Sequence, residues 1–85
     1  MGEYKVYFKD SVEKDFRVIP KKDIKKILQR IKSLTSDPHP SGCEKLTGQE
    51  RYRVRHGRYR IVYSIQDTEL TIWIVKVAHR KDIYR

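Results

Sequence analysis

The sequence has little of what builds disulfide-bonded, metal-binding or membrane proteins. Its single cysteine, Cys43, excludes an internal disulfide and fits a reducing compartment. Three isolated histidines and one cysteine do not make a metal site, and no glycine-rich phosphate loop is present. No run approaches the roughly 18 apolar residues of a membrane span, and the amino terminus lacks the apolar stretch of a signal peptide. We therefore expect a cytoplasmic protein that needs no cofactor and binds no membrane.

Positive charge, in contrast, is abundant. The 85 residues include 20 Lys and Arg against 11 Asp and Glu, which gives a formal net charge of +9. This basic excess favours an anionic partner such as nucleic acid, an acidic protein or a membrane surface. A basic solvated surface without a specific partner is the alternative, because net charge determines association rather than fold. The length suits one domain, which we expect to span residues 1–85.

The first half of the chain predicts one strand and two helices. Residues 4–8 (YKVYF) are rich in aromatic and β-branched types, which favour a strand. Asp10 or Ser11 can cap a short helix. Pro20 suits the first turn of a second helix that ends near Ser36. Apolar residues of this helix recur at i, i+3, i+4 and i+7, which predicts a stripe that faces the core. The stripe consists of Ile24, Ile27, Leu28, Ile31 and Leu34.

The second half predicts four short strands. They cover residues 43–46, 51–55, 58–65 and 70–78, with turns at 47–50, at His56–Gly57 and at Asp67–Thr68. Helices followed by sequential strands indicate an α+β fold. We expect an N-terminal strand and a helical hairpin packed on one face of a mostly antiparallel, twisted sheet.

The strand pair around His56–Gly57 separates apolar side chains from arginines. Alternate side chains of a strand point to opposite faces. The arginines of each strand therefore lie on one face and its apolar residues lie on the other. A two-residue loop at His56–Gly57 pairs Arg55 with Arg58 and Arg53 with Arg60. In this register apolar residues lie opposite apolar residues, and arginines lie opposite arginines. A slip of one residue would destroy the match.

The arginine face indicates an anionic ligand. Like charges directly opposite each other destabilise a sheet, and no Asp or Glu lies between Arg51 and Ile65 to neutralise them. Arginine binds two phosphate oxygens with its planar fork and keeps its charge when partly desolvated. The cluster therefore predicts a phosphate site, with a solvated basic strand face as the alternative.

Two strings in the second half carry a resemblance to a known family. They are YRVRHGRYRIVYSI at residues 52–65 and LTIWIVKVAHRKDIYR at 70–85, preceded by KLTG at 45–48. The chain resembles the RelE-type toxins of the RelE/ParE superfamily of toxin–antitoxin systems. The resemblance implies a RelE-like fold and a ribosome-dependent endoribonuclease that cuts mRNA in the ribosomal A site. It also implies a cognate acidic antitoxin that wraps the toxin and covers its basic face.

The resemblance also implies functional residues. The family's basic residues on the hairpin fall on Arg53, Arg55 and Arg60, its basic residue after the last strand on Arg80, and its C-terminal tyrosine on Tyr84. In metal-free RNA cleavage the 2′-hydroxyl attacks the neighbouring phosphate, which requires fixed positive charge, a base and an acid. The arginines can supply the charge, and the tyrosine could stack on a base or assist proton transfer.

The identity of the general base stays open at this point. Some family members carry lysine where this chain has Arg53 and Arg55, and arginine stays protonated. Histidine changes charge near neutral pH, so His79 is the natural candidate for the acid or base. Trp73 is expected in the core, on the same face as Val75 and Val77. The expected RNA-binding residues are Arg51, Arg58 and Lys45.

Two other functions fit the same sequence. A ParE-like inhibitor of DNA gyrase would share the fold without needing a ribonuclease site. A non-catalytic RNA-binding relative would keep the arginines but lack a base. The arginine hairpin together with Tyr84 favours RNA cleavage over gyrase inhibition, whereas the non-catalytic relative stays open because the sequence shows no obvious base.

Overall fold

The elements follow the order expected from the sequence. The computed structural model describes residues 3–40, 42–46 and 51–79. Its elements are β1 (Lys5–Phe8), α1 (Asp10–Arg17), α2 (Lys21–Leu34), β2 (Glu44–Lys45), β3 (Arg51–His56), β4 (Tyr59–Gln66), a short 3-10 helix (Asp67–Glu69) and β5 (Thr71–His79). The predicted turn at 47–50 lies outside the described residues.

The strands form one mixed sheet in the order β1-β5-β4-β3-β2. β1 runs parallel to β5, and the other neighbours are antiparallel. Both helices pack on the same face of this sheet, and the core lies between the two layers. The core residues are Val12, Ile19, Ile27, Ile31, Leu34, Val54, Ile61, Tyr63, Ile72, Ile74 and Val77. The predicted α+β class and the mostly antiparallel sheet are confirmed. Both described helices lie on one face, and we call the other face, which carries Arg51, Arg53, Arg55 and Arg60, the ligand face.

The helix ends differ from the prediction in detail. We expected Asp10 or Ser11 to cap α1, but the N-cap is Lys9, which has extended backbone angles. Asp10 lies in the first turn instead, where its charge is beside the positive end of the helix dipole. Pro20 is the N-cap of α2 rather than part of its first turn, and α2 ends at Leu34, before the expected position. Neither helix in the described ranges is long and apolar enough to cross a bilayer.

The apolar stripe of α2 is narrower than the sequence predicts. Its central residues are buried and Ile24 is partly buried against the core, but Leu28 is 42% exposed. Leu28 lies at the rim of the helical layer, where it lines a shallow hollow with Phe8 and Phe16. The assignment of Leu28 to the core is therefore wrong.

A β-bulge at Val75 changes which side chains of β5 face the helices. The pairs on either side of it are Val62–Lys76 and Tyr63–Ile74. Val75 has no partner on β4, and an extra residue of this kind reverses the alternation of side chains. Ile74 faces the core before the bulge and Val77 faces it afterwards. The expected face shared by Trp73, Val75 and Val77 is therefore wrong, because Trp73 lies on the ligand face.

Tyr63 joins the sheet to the loop that follows α2. Its side chain is fully buried, its hydroxyl donates a 2.8 Å hydrogen bond to the carbonyl of Pro38, and the Cys43 sulfur lies 3.2 Å from the same oxygen. Burial, with the contact to Cys43 as the next cause, raises the pKa of Tyr63 far above its ordinary value. Tyr63 is therefore a neutral donor that holds the loop against the core.

We expect Tyr63→Phe to lower the free energy of unfolding by about 1–2 kcal/mol, because the Pro38 carbonyl loses its donor while the ring remains. Tyr52→Phe is the matched control. Its ring stacks on Tyr63 with centroids 6.0 Å apart, but its hydroxyl makes no hydrogen bond within the described residues. Urea denaturation measures both variants, and equal losses would show that the Tyr63 hydroxyl has no specific role.

Candidate active site

The turn between β3 and β4 consists of Gly57 and Arg58 rather than His56 and Gly57. Gly57 has a φ of +60°, the conformation that glycine adopts at the first central position of a type II′ hairpin turn. Arg55 consequently pairs with Arg60, and the expected pairing of Arg55 with Arg58 is wrong. The observed register differs from the predicted register by an even number of residues. Every side chain within the two strands therefore stays on its predicted face.

Arg53, Arg55 and Arg60 converge on one small space on the ligand face, which we call the arginine cavity. Its volume is about 50 Å³, and Gly42 and Glu44 complete its lining. One water requires roughly 10–15 Å³, so the space suits a phosphate group rather than a whole nucleotide. Arg60 is only 5% exposed, whereas Arg55 is open to solvent.

Arg53 has a different neighbour across the hairpin from the one expected. It pairs with Val62 rather than with Arg60. On its other side it lies opposite Glu44 of β2, and its Nη2 donates a 2.6 Å hydrogen bond to the Glu44 Oε2. The Arg53 side chain is 20% exposed and that of Glu44 is 62% exposed, so this ion pair contributes little to stability. Its effect is to orient the Arg53 guanidinium.

Glu44 is the functional candidate that the sequence analysis missed. The hydrogen bond and charge of Arg53 lower the pKa of Glu44, and the charges of Arg55 and Arg60 lower it further. Glu44 therefore stays ionised beside three guanidinium groups. The signal was available in principle: a strand at 43–46, joined by a short turn to 51–55, brings an acidic side chain beside the arginines.

His79 lies on the helix face of the sheet, away from the arginine cavity. It pairs with Tyr59, and the two rings meet edge to face with centroids 5.9 Å apart. The Tyr59 hydroxyl donates a 2.9 Å hydrogen bond to the Asp23 carboxylate of α2. The bulge at Val75 causes this placement, because it reverses the alternation of β5. The structure therefore does not bring His79 together with the arginines.

The remaining candidates are spread over several places. Arg51 is exposed and shares the ligand face with the arginine cavity, farther along β3. Arg58 is exposed in the turn. The register of β2 places Lys45 on the helix side, opposite to the face of Glu44. The catalytic assignments of Arg80 and Tyr84 lie outside the described residues.

Comparison with protein families and sequences gives matches over nearly the whole chain. A family model described as the ParE toxin of the type II toxin–antitoxin system, parDE, matches residues 6–84. The toxin RelG of Mycobacterium tuberculosis is 30% identical over 86 residues, which cover 96% of this chain and 97% of RelG.

Solved structures share the whole fold. A chain of the toxin–antitoxin complex RelBE2 from M. tuberculosis matches with a TM-score of 0.81 and 25% identity, covering 92% of this chain and 99% of that one. A chain of the archaeal RelE–RelB complex from Pyrococcus horikoshii matches with a TM-score of 0.78 and 28% identity, covering 92% and 96%. The family model, the relative and the shared fold cover nearly the same residues of this chain. The chain therefore belongs to the RelE-type toxins of type II toxin–antitoxin systems, in the RelE/ParE superfamily.

Proposed function

We propose that this toxin is a metal-independent endoribonuclease that cuts mRNA in the ribosomal A site and thereby stops translation in the cytoplasm. The convergence of Arg53, Arg55 and Arg60 on a cavity of phosphate size supports this proposal. Fixed positive groups around a phosphate stabilise the additional negative charge of a phosphorane without reorganising at the moment of reaction. The same positive face suits a cognate acidic antitoxin, which would block the site by covering it.

We propose Glu44 as the general base of this reaction. The 2′-oxygen forms a bond to phosphorus, the bond from phosphorus to the 5′-oxygen breaks, and a cyclic phosphate and a 5′-hydroxyl result. The Glu44 carboxylate accepts the 2′ proton, because it lines the cavity in which the phosphate would lie. The arginines lower the pKa of Glu44 and so make it a weak base, but one that is ionised and positioned. Arg80 and Tyr84 stay predicted as the groups that complete the charge and supply the proton to the 5′-oxygen. His79 is not used in this scheme.

Inhibition of DNA gyrase is the second candidate, because the matched family model describes ParE toxins. Adding the purified toxin to cell-free translation and mapping mRNA 5′ ends distinguishes the two. We expect new ends within A-site codons, only when the mRNA is translated, and unchanged supercoiling by gyrase. Blocked supercoiling with intact mRNA would replace the proposal with gyrase inhibition.

Arg55→Gln tests the charge of the cavity. We expect the cleavage rate on programmed ribosomes to fall about a hundredfold, as for the loss of one transition-state donor. We expect the melting temperature to hold or rise, because Arg55 lies directly opposite Arg60 and like charges in such pairs repel.

Arg17→Gln is the control for Arg55→Gln. Arg17 is an exposed arginine of α1 that pairs with Glu13 at 3.2 Å, and its replacement should leave cleavage unchanged. Lys45 and Arg58 do not lie on the ligand face, so replacing either of them should lower the cleavage rate less than replacing Arg55 does. Normal cleavage by a folded Arg55→Gln variant would contradict the site.

Glu44→Gln tests whether Glu44 acts as the general base or only forms an ion pair with Arg53. We expect kcat to fall by about a hundredfold or more, with KM unchanged or lower because the variant removes a negative charge beside the bound phosphate. The lowered pKa of Glu44 predicts that wild-type activity persists as the pH falls, with its acid limb below the usual range of glutamate. That limb should be absent from the residual activity of the variant.

Glu13→Gln is the matched control for Glu44→Gln, since Glu13 also pairs with an arginine but lies on α1. It should change neither kcat nor KM. If Glu44→Gln leaves kcat intact, Glu44 only orients Arg53 and the base lies elsewhere.

A further inference from the structure

A second group of side chains lies on the ligand face, towards β1 and β5. The register aligns Arg51, Ser64, Trp73 and Tyr7 in one row across β3, β4, β5 and β1. Trp73 belongs to this row because the bulge at Val75 turns it away from the helices. We call these four residues the Trp73 row.

The Trp73 row presents an aromatic surface flanked by cations. The rings of Tyr7 and Trp73 stack with centroids 5.1 Å apart and an angle of 29°, and Tyr7 is 45% exposed. The Lys9 Nζ lies 4.8 Å from the centroid of Trp73. A groove of about 460 Å³ runs beside the tryptophan, and none of its described lining residues is acidic. The lining residues are Lys9, Arg51, Ser64, Gln66, Trp73 and Val75.

We propose that this groove binds one unstacked base of the RNA strand, while Lys9 and Arg51 contact the flanking phosphates. The inference rests on the proposed function, in which RNA is the substrate. Single-stranded nucleic acids are bound by this combination of aromatic faces, which accept any base, with cations that follow the backbone. The groove has the size of a small-molecule pocket, which is roughly 300–1,000 Å³, whereas the arginine cavity admits only a phosphate group.

The groove and the arginine cavity lie within reach of neighbouring nucleotides. Arg51 of the Trp73 row and Arg53 of the cavity are alternate residues of β3 on the same face. Their positions along the strand differ by about 7 Å, because a strand rises roughly 3.3 Å per residue. A strand with one phosphate in the cavity can therefore place an adjacent base in the groove.

The ring surface favours RNA over an acidic protein. Carboxylates of an acidic partner would satisfy the charges of Lys9 and Arg51, but they have no planar ring to stack on Tyr7 and Trp73. A nucleotide supplies both the anion and the ring. The groove therefore fits the complete chemistry of a nucleotide and only part of that of an acidic peptide.

Fluorescence tests the inference directly, because Trp73 is the only tryptophan of the chain. A short single-stranded RNA with 2′-O-methyl groups, which cannot be cut, should quench this fluorescence on titration. An abasic sugar-phosphate chain of equal length should bind about tenfold more weakly and should not quench. Polyglutamate of equal charge represents an acidic protein. Equal binding of the abasic chain, or equal quenching by polyglutamate, would overturn the inference.

Tyr7→Leu and Phe8→Leu are a matched pair of variants. Tyr7 and Phe8 are adjacent in β1 and are 45% and 40% exposed, but they lie on opposite faces, and Phe8 meets Phe16 of α1 at 6.2 Å. Fluorescence polarisation of labelled RNA should show about tenfold weaker binding for Tyr7→Leu and unchanged binding for Phe8→Leu. Equal effects of the two variants would contradict the proposal.

Trp73→Leu should weaken RNA binding as Tyr7→Leu does. Circular dichroism shows whether the Trp73→Leu variant is folded. If it is not, the test relies on Tyr7→Leu, because Tyr7 is exposed and its replacement should not disturb the core. Ribosomal cleavage is measured in parallel to separate the two proposals. If the toxin cuts mRNA and folded Tyr7→Leu binds RNA like wild type, the groove inference is wrong and the proposed function stands. If RNA quenches Trp73 but no mRNA is cut, the groove inference holds and the proposed function fails.

Discussion

The pairing of β3 with β4 is the constraint on which both the core and the arginine cavity depend. Val54 pairs with Ile61 on the helix face, and Arg55 pairs with Arg60 on the ligand face. Burying an aliphatic side chain of this size contributes about 1.5–3 kcal/mol, whereas opposed like charges in a sheet cost roughly 0.2–1 kcal/mol per pair. The apolar face therefore determines the register, and the register holds the arginines together despite their repulsion.

The bulge at Val75 determines what the rest of β5 contributes to each face. It turns Trp73 towards the ligand face and His79 towards the helices. Beyond the bulge, the Asp15 carboxylate of α1 accepts a 3.1 Å hydrogen bond from the backbone N–H of Val77. That contact satisfies a backbone donor at the place where β1 no longer flanks β5, so α1 supports the irregular strand. Without the bulge, the tryptophan and the histidine, which are six residues apart, would lie on the same face of the sheet.

How much the sequence predicts depends on whether periodicity distinguishes the alternatives. The faces of Arg53 and Arg55 were predictable, because apolar and basic residues alternate strictly along β3. The position of the turn was not predictable, because loops at 56–57 and at 57–58 place every side chain of the two strands on the same face. The two loops differ only in which residues of β3 and β4 pair. The bulge was hidden for another reason: residues 71–78 are largely apolar, so alternation does not mark where it reverses. Glu44 was missed because β2 has only two residues, so no alternation of side chains marks which of them faces the arginines.

The charge balance of the ligand face bears on whether this face only binds or also catalyses. Lys9 and Arg51 flank the groove without an acidic neighbour among its described lining residues, as suits a surface that holds a polyanion. In the arginine cavity, however, Glu44 offsets part of the charge of Arg53 and weakens the attraction for a phosphate. A surface that only bound RNA would gain affinity without this carboxylate. The proposed cleavage removes a proton from a 2′-hydroxyl and needs an ionised acceptor beside the phosphate. The arginines proposed to stabilise the phosphorane also keep Glu44 ionised.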